Sequence, residues 1–184
     1  MKGAFMKKMI SLFKRDWTNK KCPAYNEIED GAEWVIRGEG IATQKHDGTC
    51  CLIKNGILYK RLHAKGHSPA DFIHWLLNPE QRTGHGWVPV KDVPADHIHL
   101  SIDISGFEDG TYELCGEKVN KNPEQITGHK LIKHGSIVFD NVPTDFSGLQ
   151  EWLKDKDIEG IVWHHPNDSM IKIKKSDFRL KRKS

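Results

Sequence analysis

Apolar and polar residues alternate through CCLIK and again through ILYKR, and only Asn55-Gly56 separates the two runs. Alternation with period two marks half-buried strands, and Asn-Gly readily takes the positive φ that both centres of a two-residue hairpin turn require. A β-hairpin is predicted there. GIATQK (40–45) approaches it as a further strand, with Ile41, Thr43 and Lys45 on one face. Strands are also predicted over 98–104 (IHLSIDI), 111–115 (TYELC) and 136–142 (SIVFDNV). EGIVWHH (159–165) and MIKIKK (170–175) flank the turn cluster Pro166-Asn167-Asp168 and predict a last hairpin. Within it Lys172 and Lys174 share one face and Ile171 and Ile173 the other, while Glu159, Ile161 and Trp163 fall together.

Two segments carry helical spacing instead. Ser68-Pro69-Ala70-Asp71 offers an N-cap, a proline at N1 and an acid in the first turn. Phe72, Ile73, Trp75, Leu76 and Leu77 follow, and Asn78-Pro79 ends the run. TDFSGLQEWLKDK (144–156) repeats the pattern with Phe146, Leu149, Trp152 and Leu153. Strands mixed with few helices predict an α+β fold. With 184 residues, no internal repeat and no linker-like stretch, one domain is expected.

Charge sharpens this picture. Net charge is +3, yet residues 1–21 carry +6 and residues 172–184 carry +6, so the stretch between them carries −9. Basic ends on an acidic body point to a polyanion such as nucleic acid. No apolar run approaches the length of a membrane span, and the N-terminal lysines interrupt any secretory core. Cys22, Cys50, Cys51 and Cys115 show no C-x-x-C spacing, and Cys50 and Cys51 would face opposite sides of a strand. Reduced thiols in a soluble, cytoplasmic protein, without membrane contact, are expected. His97 and His99, or His164 and His165, lack the cysteine partners or H-E-x-x-H spacing of a zinc site.

Three short motifs follow one another: Lys45-His46-Asp47-Gly48, then Glu159-Gly160-Ile161-Val162, then Lys172-Ile173-Lys174. In this order they resemble the motifs of the covalent nucleotidyltransferases, which include ATP-dependent polynucleotide ligases and mRNA capping guanylyltransferases. KHDGTCC, TYELCGEKVNKNPE and EGIVWHHP look most like the small 5′-to-3′ RNA ligases of the vertebrate RNA ligase 1 type and their viral relatives. The resemblance runs over about residues 40–178. It implies an ATP-grasp-like nucleotidyltransferase domain of antiparallel sheets flanked by helices, with the nucleotide between them, spanning residues 1–184 as one adenylyltransferase (ligase) domain with basic ends.

It also implies roles. Lys45 is the nucleophile that takes AMP from ATP; the AMP passes to an RNA 5′-phosphate, and a 3′-hydroxyl displaces it to seal the strand. A lysine attacks only when desolvation or neighbouring cations lower its pKa. Asp47 orients the amine or a metal-bound water. Thr43 and Gln44 sit with Lys45 at the nucleotide, Gln44 standing where such ligases often place a glutamate that reads the adenine amino group. A glutamine carbonyl can accept the same hydrogen bond. Arg61 matches a basic residue near the ribose or phosphate, with Lys60 and Lys65 as rivals. Glu113 matches the acid that holds the ribose hydroxyls, with Glu117 the alternative. Phe139 stands for the aromatic that stacks on adenine, or for a core phenylalanine, and His134 is a lesser choice. Glu159 holds Mg²⁺ or Mn²⁺, and Lys172 and Lys174 meet the phosphates.

Capping enzymes and many ligases of this superfamily carry an OB-fold domain after the last motif; only ten residues follow Lys174 here, so none is expected. The expected partner is RNA with 5′-phosphate and 3′-hydroxyl ends, touched by the two basic ends, and the expected state is a monomer. A minimal ATP-dependent DNA ligase, or a non-catalytic RNA-binding module of the same fold, would carry the same motifs. The intact set of Lys45, Glu159, Lys172 and Lys174 favours an enzyme.

Overall fold

A computed structural model describes residues 9–63, 74–78 and 83–182. They form an α+β arrangement of three sheets and a few short helices, divided into two compact units: Asp47–His134, and the described residues of Lys8–His46 with Gly135–Ser184. No helix among them is long and apolar enough to cross a membrane.

The unit built from the two chain ends holds a four-stranded sheet. Its strands are β1 (Ile10–Ser11), β4 (Ile41–Lys45), β11 (Gly160–His164) and β12 (Met170–Lys174), in the order β1-β12-β11-β4. β11 pairs antiparallel with both neighbours, and β1 joins β12 in parallel. One face is apolar: Ile161 and Ile173 are fully buried and Ile171 and Trp163 nearly so. Each such side chain contributes roughly 1.5–3 kcal/mol by leaving water. They pack with Leu149 and Leu153 of α3 (Phe146–Lys154), whose N-cap Asp145 accepts the Gly148 amide at 2.8 Å. Helix α1 (Glu33–Ile36) adds buried Trp34 and Val35. A small hairpin of β2 (Phe13–Arg15) and β3 (Ala24–Ile28) is anchored by Phe13, which meets Phe146 and Phe178 edge-on.

The other unit is a six-stranded antiparallel sheet. Its strands are β5 (Thr49–Lys54), β6 (Ile57–His63), β7 (His74–Asn78), β8 (Thr83–Pro89), β9 (Gly110–Gly116) and β10 (His129–Lys133), in the order β10-β9-β5-β6-β8-β7. The Asn-Gly hairpin forms as predicted, with Asn55 and Gly56 both at positive φ. Cys51, Ile53, Tyr112, Leu114 and Leu131 pack on one face, and Cys50, Leu52, Tyr59 and Trp87 gather in a second cluster. The paired cysteines therefore diverge as expected, and none of the four cysteines is in a disulfide. Burial pushes the Cys51 thiol pKa well up, so that it is an inert core group.

Three predicted elements differ. Within the run predicted helical, His74–Asn78 is a strand paired with β8, and residues 64–73 lie outside the described residues. A short apolar run has no decisive period of its own, so a pairing partner decides it. The strand predicted over 98–104 is replaced by α2 (His97–Leu100) and a bend. Helical spacing brings Ile98 and Ile102, four apart, onto the core, while Leu100 stays exposed. Residues 136–142 contribute only one bridge, Thr43 to Val138, and the backbone bonds Gln44 N–H to Ile137 O and Phe139 N–H to Ala42 O.

Candidate functional site

Strand register assembles the cationic cluster. Lys45, the last residue of β4, pairs across the sheet with Gly160, and Gly160 pairs on its other side with Lys174. One step along, Thr43, Val162 and Lys172 form the next row. Because side chains alternate, Lys45, Lys172 and Lys174 project from the face opposite the isoleucine core. Gly160 is the spacer between two lysines. A Cβ there would lie 2.1 Å from the Ile173 carbonyl oxygen and 2.8 Å from the Lys174 Cα, so only glycine lets the strands close.

The Glu159 carboxylate bridges the pair. One oxygen lies 2.5 Å from Lys45 Nζ and the other 2.5 Å from Lys174 Nζ. Lys45 Nζ also donates to the His46 carbonyl at 3.4 Å. All three charged side chains are mostly withdrawn from water, Glu159 most of all at 12% exposed. By parity Glu159 was expected beside Ile161 and Trp163. It lies just before β11, and from there its side chain reaches the lysine face. Lys172 has its pKa pulled down from 10.5 to about 8, by burial first and then by Lys174, Lys45 and Arg15, with Asp177 opposing.

Thr43 is almost fully buried, and its Oγ1 bonds the Val162 carbonyl at 3.1 Å and His164 Nε2 at 3.0 Å. Gln44 alternates to the other face, in register with Ile161, and its amide nitrogen meets His46 Nδ1 at 3.3 Å. Phe139 packs against the core and meets Trp152 edge-on at 5.3 Å between centroids, contacts that account for its aromatic character.

Asp47, Arg61 and Glu113 belong to the other unit. Asn120 Nδ2 donates to Asp47 Oδ1 at 2.8 Å and to the Gly48 carbonyl at 3.1 Å, while the Asp47 amide donates to Glu124 at 2.9 Å. Gly48 owes its identity to close approach: a Cβ would sit 2.3 Å from the Leu114 carbonyl oxygen. Its amide donates to Glu113 Oε1 at 3.2 Å. The other Glu113 oxygen lies 2.8 Å from His134 Nε2. Glu113 pairs in register with Cys50, and Arg61 with Trp87. Ligand atoms of Cys50, Glu113 and His134 lie within 4.8 Å of one another. That sulfur- and nitrogen-containing set suits a soft metal rather than Mg²⁺.

Sequence reasoning missed Gly160 as a spacer, the Asn120 and Glu124 clasp on Asp47-Gly48, and the His134 bond to Glu113. Gly160 was open to detection, since registering EGIV against KIK places it opposite Lys174. Asn120, Glu124 and His134 follow no period that links them to their partners.

The RNA ligase 1 family model matches residues 90–183, more than half of the chain. The chain is also similar to RNA ligase 1 of Mus musculus and of Rattus norvegicus, in each case 26% identical over 72% of this chain and 65% of the relative. RNA ligase 1 of Danio rerio is 25% identical over 76% of this chain and 67% of the relative. The matched region thus spans just under two thirds of the mouse and rat proteins.

Proposed function

The chain belongs to the RNA ligase 1 family, and from that premise we propose that it is an ATP-dependent 5′-to-3′ RNA ligase working through a covalent lysyl-AMP on Lys45, on an ATP-grasp-like nucleotidyltransferase fold. The observation that carries this reading is the row Lys45–Gly160–Lys174, with the Glu159 carboxylate bridging both amines. A solvated lysine face would need neither a carboxylate mostly withdrawn from water between its amines nor a glycine that lets the strands close.

The chemistry follows from the placement. The Lys45 ammonium releases its proton to solvent, and its nitrogen lone pair attacks the α-phosphorus of ATP. An N–P bond forms, the P–O bond to pyrophosphate breaks, and pyrophosphate leaves with the bonding electrons. Lys172 and Lys174 meet the charge that develops on the phosphate oxygens. AMP then passes from Lys45 to an RNA 5′-phosphate, and an RNA 3′-hydroxyl displaces AMP to close the phosphodiester. Glu113 and Arg61 would contact the ribose and phosphates of the nucleotide.

Glu159 would also hold Mg²⁺ or Mn²⁺. A hard divalent cation takes one or two carboxylates and fills its remaining positions with phosphate oxygens and water. A single carboxylate among three lysines fits such an ion when the triphosphate arrives with it. Once bound, the ion would supply positive charge to the phosphates and favour the neutral Lys45 amine.

Intact-mass measurement tests the reading. Phosphate-free protein incubated with a divalent metal and ATP should gain one AMP, whereas GTP or NAD should give no such gain and Lys45→Ala should gain nothing with ATP. No adduct across a range of pH and metals refutes it. Sealing of all-RNA, mixed and all-DNA nicks then separates an RNA ligase from a minimal DNA ligase.

A further inference from the structure

Trp17 is the most exposed of the large apolar side chains among the described residues, at 75%. It stands in the turn between β2 and β3, and that turn is held rigidly. The Thr18 amide and hydroxyl both donate to Asp16 Oδ1, at 3.0 and 2.5 Å. The Lys21 amide donates to Asn19 Oδ1, the Asp16 amide to Pro23 O and the Cys22 amide to Asn19 O. Phe13, at the base of the hairpin, is locked between Phe146 and Phe178. The indole is thus presented to solvent on an ordered turn.

The charges around it point to a class of partner. Many of the basic residues at the two chain ends are already engaged. Lys14 pairs with Glu27, Arg15 with Asp177, Lys174 with Glu159 and Arg182 with Asp157, and Lys175 is buried with its amine on the Lys156 carbonyl. Lys20 and Lys21 in the turn, and Arg179 and Lys181 beyond β12, remain exposed. The two ends meet at this hairpin. Arg15 bonds Asp177, and Asp16, held below the usual carboxylate range chiefly by the Thr18 hydroxyl, is lowered further by the nearby Arg179 guanidinium. A solvent-facing indole on a turn that also carries exposed Lys20 and Lys21, with Arg179 close to the neighbouring Asp16, has the makeup of a single-strand platform, where bases stack on the ring and the phosphates meet cations.

We propose that the β2–β3 turn is a docking platform for single-stranded RNA, with Trp17 stacking on an unpaired base and Lys20, Lys21 and Arg179 holding the flanking phosphates. This rests on RNA being the substrate and adds where an unpaired stretch of it is gripped.

The test is equilibrium binding of a fluorescein-labelled, unstructured RNA of about 12 nucleotides to the full chain without ATP, a length within the range such platforms cover. Trp17→Ala should raise the Kd about 5- to 100-fold, the loss of one stacked base, and Trp17→Phe should recover most of it. Lys20→Ala with Lys21→Ala should flatten the slope of log affinity against log salt by about 0.7 per lysine. A blunt RNA duplex should show no dependence on Trp17. The proposal is overturned if Trp17→Ala binds the single strand within about twofold of wild type while its melting curve is unchanged. It is also overturned if the duplex loses as much affinity. An AMP adduct in wild type together with Trp17-independent binding removes the platform alone. Trp17-dependent binding with no adduct in wild type removes the ligase reading and leaves the platform.

Discussion

Glu159 ties Lys45 to Lys174, each of its carboxylate oxygens lying 2.5 Å from one amine. The proposed nucleophile is therefore held by an anion and has a second cation two strands away. Glu159→Gln keeps the size of the side chain, removes the charge and turns one of its two acceptor oxygens into an NH₂ donor. Adenylylation, followed by intact mass over time, should slow about 100-fold or more, in line with the loss of one preorganised charged group. Stability should fall by about 1–3 kcal/mol in urea denaturation, because two mostly withdrawn ammonium groups lose their counter-ion. Part of that cost is screened, since Lys174 is 31% exposed.

Gly160→Ala probes the spacer without touching a charge. The added Cβ would lie 2.1 Å from the Ile173 carbonyl, a backbone atom that cannot swing away. The strands must separate, so unfolding should cost about 2–4 kcal/mol less than in wild type. The adduct should fail to form even at temperatures where the variant is folded, because Lys45 and Lys174 pair through this residue.

Lys172 gives a pH signature. Its native pKa of about 8 lies below the ordinary 10.5, so between those values the unfolded chain keeps a proton that the folded chain has released. Stability from this residue therefore rises with pH across that window and carries its full penalty below about 8. Lys172→Met should be more stable than wild type at pH 7, by roughly 1–3 kcal/mol, with the difference shrinking towards pH 10.5. Adenylylation should run the other way. If the transition state needs the charge, the wild-type rate falls as pH climbs through about 8. Lys172→Arg, which stays charged, should carry the plateau to higher pH. A rate profile unchanged in Lys172→Arg would show that the charge of Lys172 is not used.

The lysine face was legible because period two is a local property: MIKIKK places its lysines and isoleucines on opposite sides, and Ile171 and Ile173 are indeed buried. The Asn55-Gly56 hairpin was legible for a similar reason, since the turn chemistry is contained in two residues. His74–Asn78 and His97–Leu100 were misread because their apolar residues satisfy two periods at once, and a distant strand or a core contact chose between them. The Glu159 bridge was visible as a motif but not as a geometry. Alternation placed its side chain with Ile161, and the position just before β11 allows it to reach the other face. The Glu113–His134 bond joins residues 21 apart in sequence with no shared pattern, so folding alone reveals it.

That bond sets up a test of nucleotide recognition. Glu113 accepts from the Gly48 amide through one oxygen and meets His134 through the other, so its carboxylate is fixed on β9 before any ligand arrives. If it bonds the ribose hydroxyls, Glu113→Ala should raise the ATP concentration needed for half-maximal adenylylation about 10- to 100-fold, the range for a lost hydrogen bond to a charged group. Truncation also strips the Gly48 amide of its acceptor, so a drop in rate alone would not separate recognition from local damage. Removing the hydroxyl from the ligand supplies the second arm of a double-mutant cycle. Wild type should discriminate ATP from its 2′- and 3′-deoxy analogues, while Glu113→Ala should treat all three nearly alike. Equal discrimination by the two proteins would take Glu113 out of the ribose site and leave it as the clasp of Gly48 and His134.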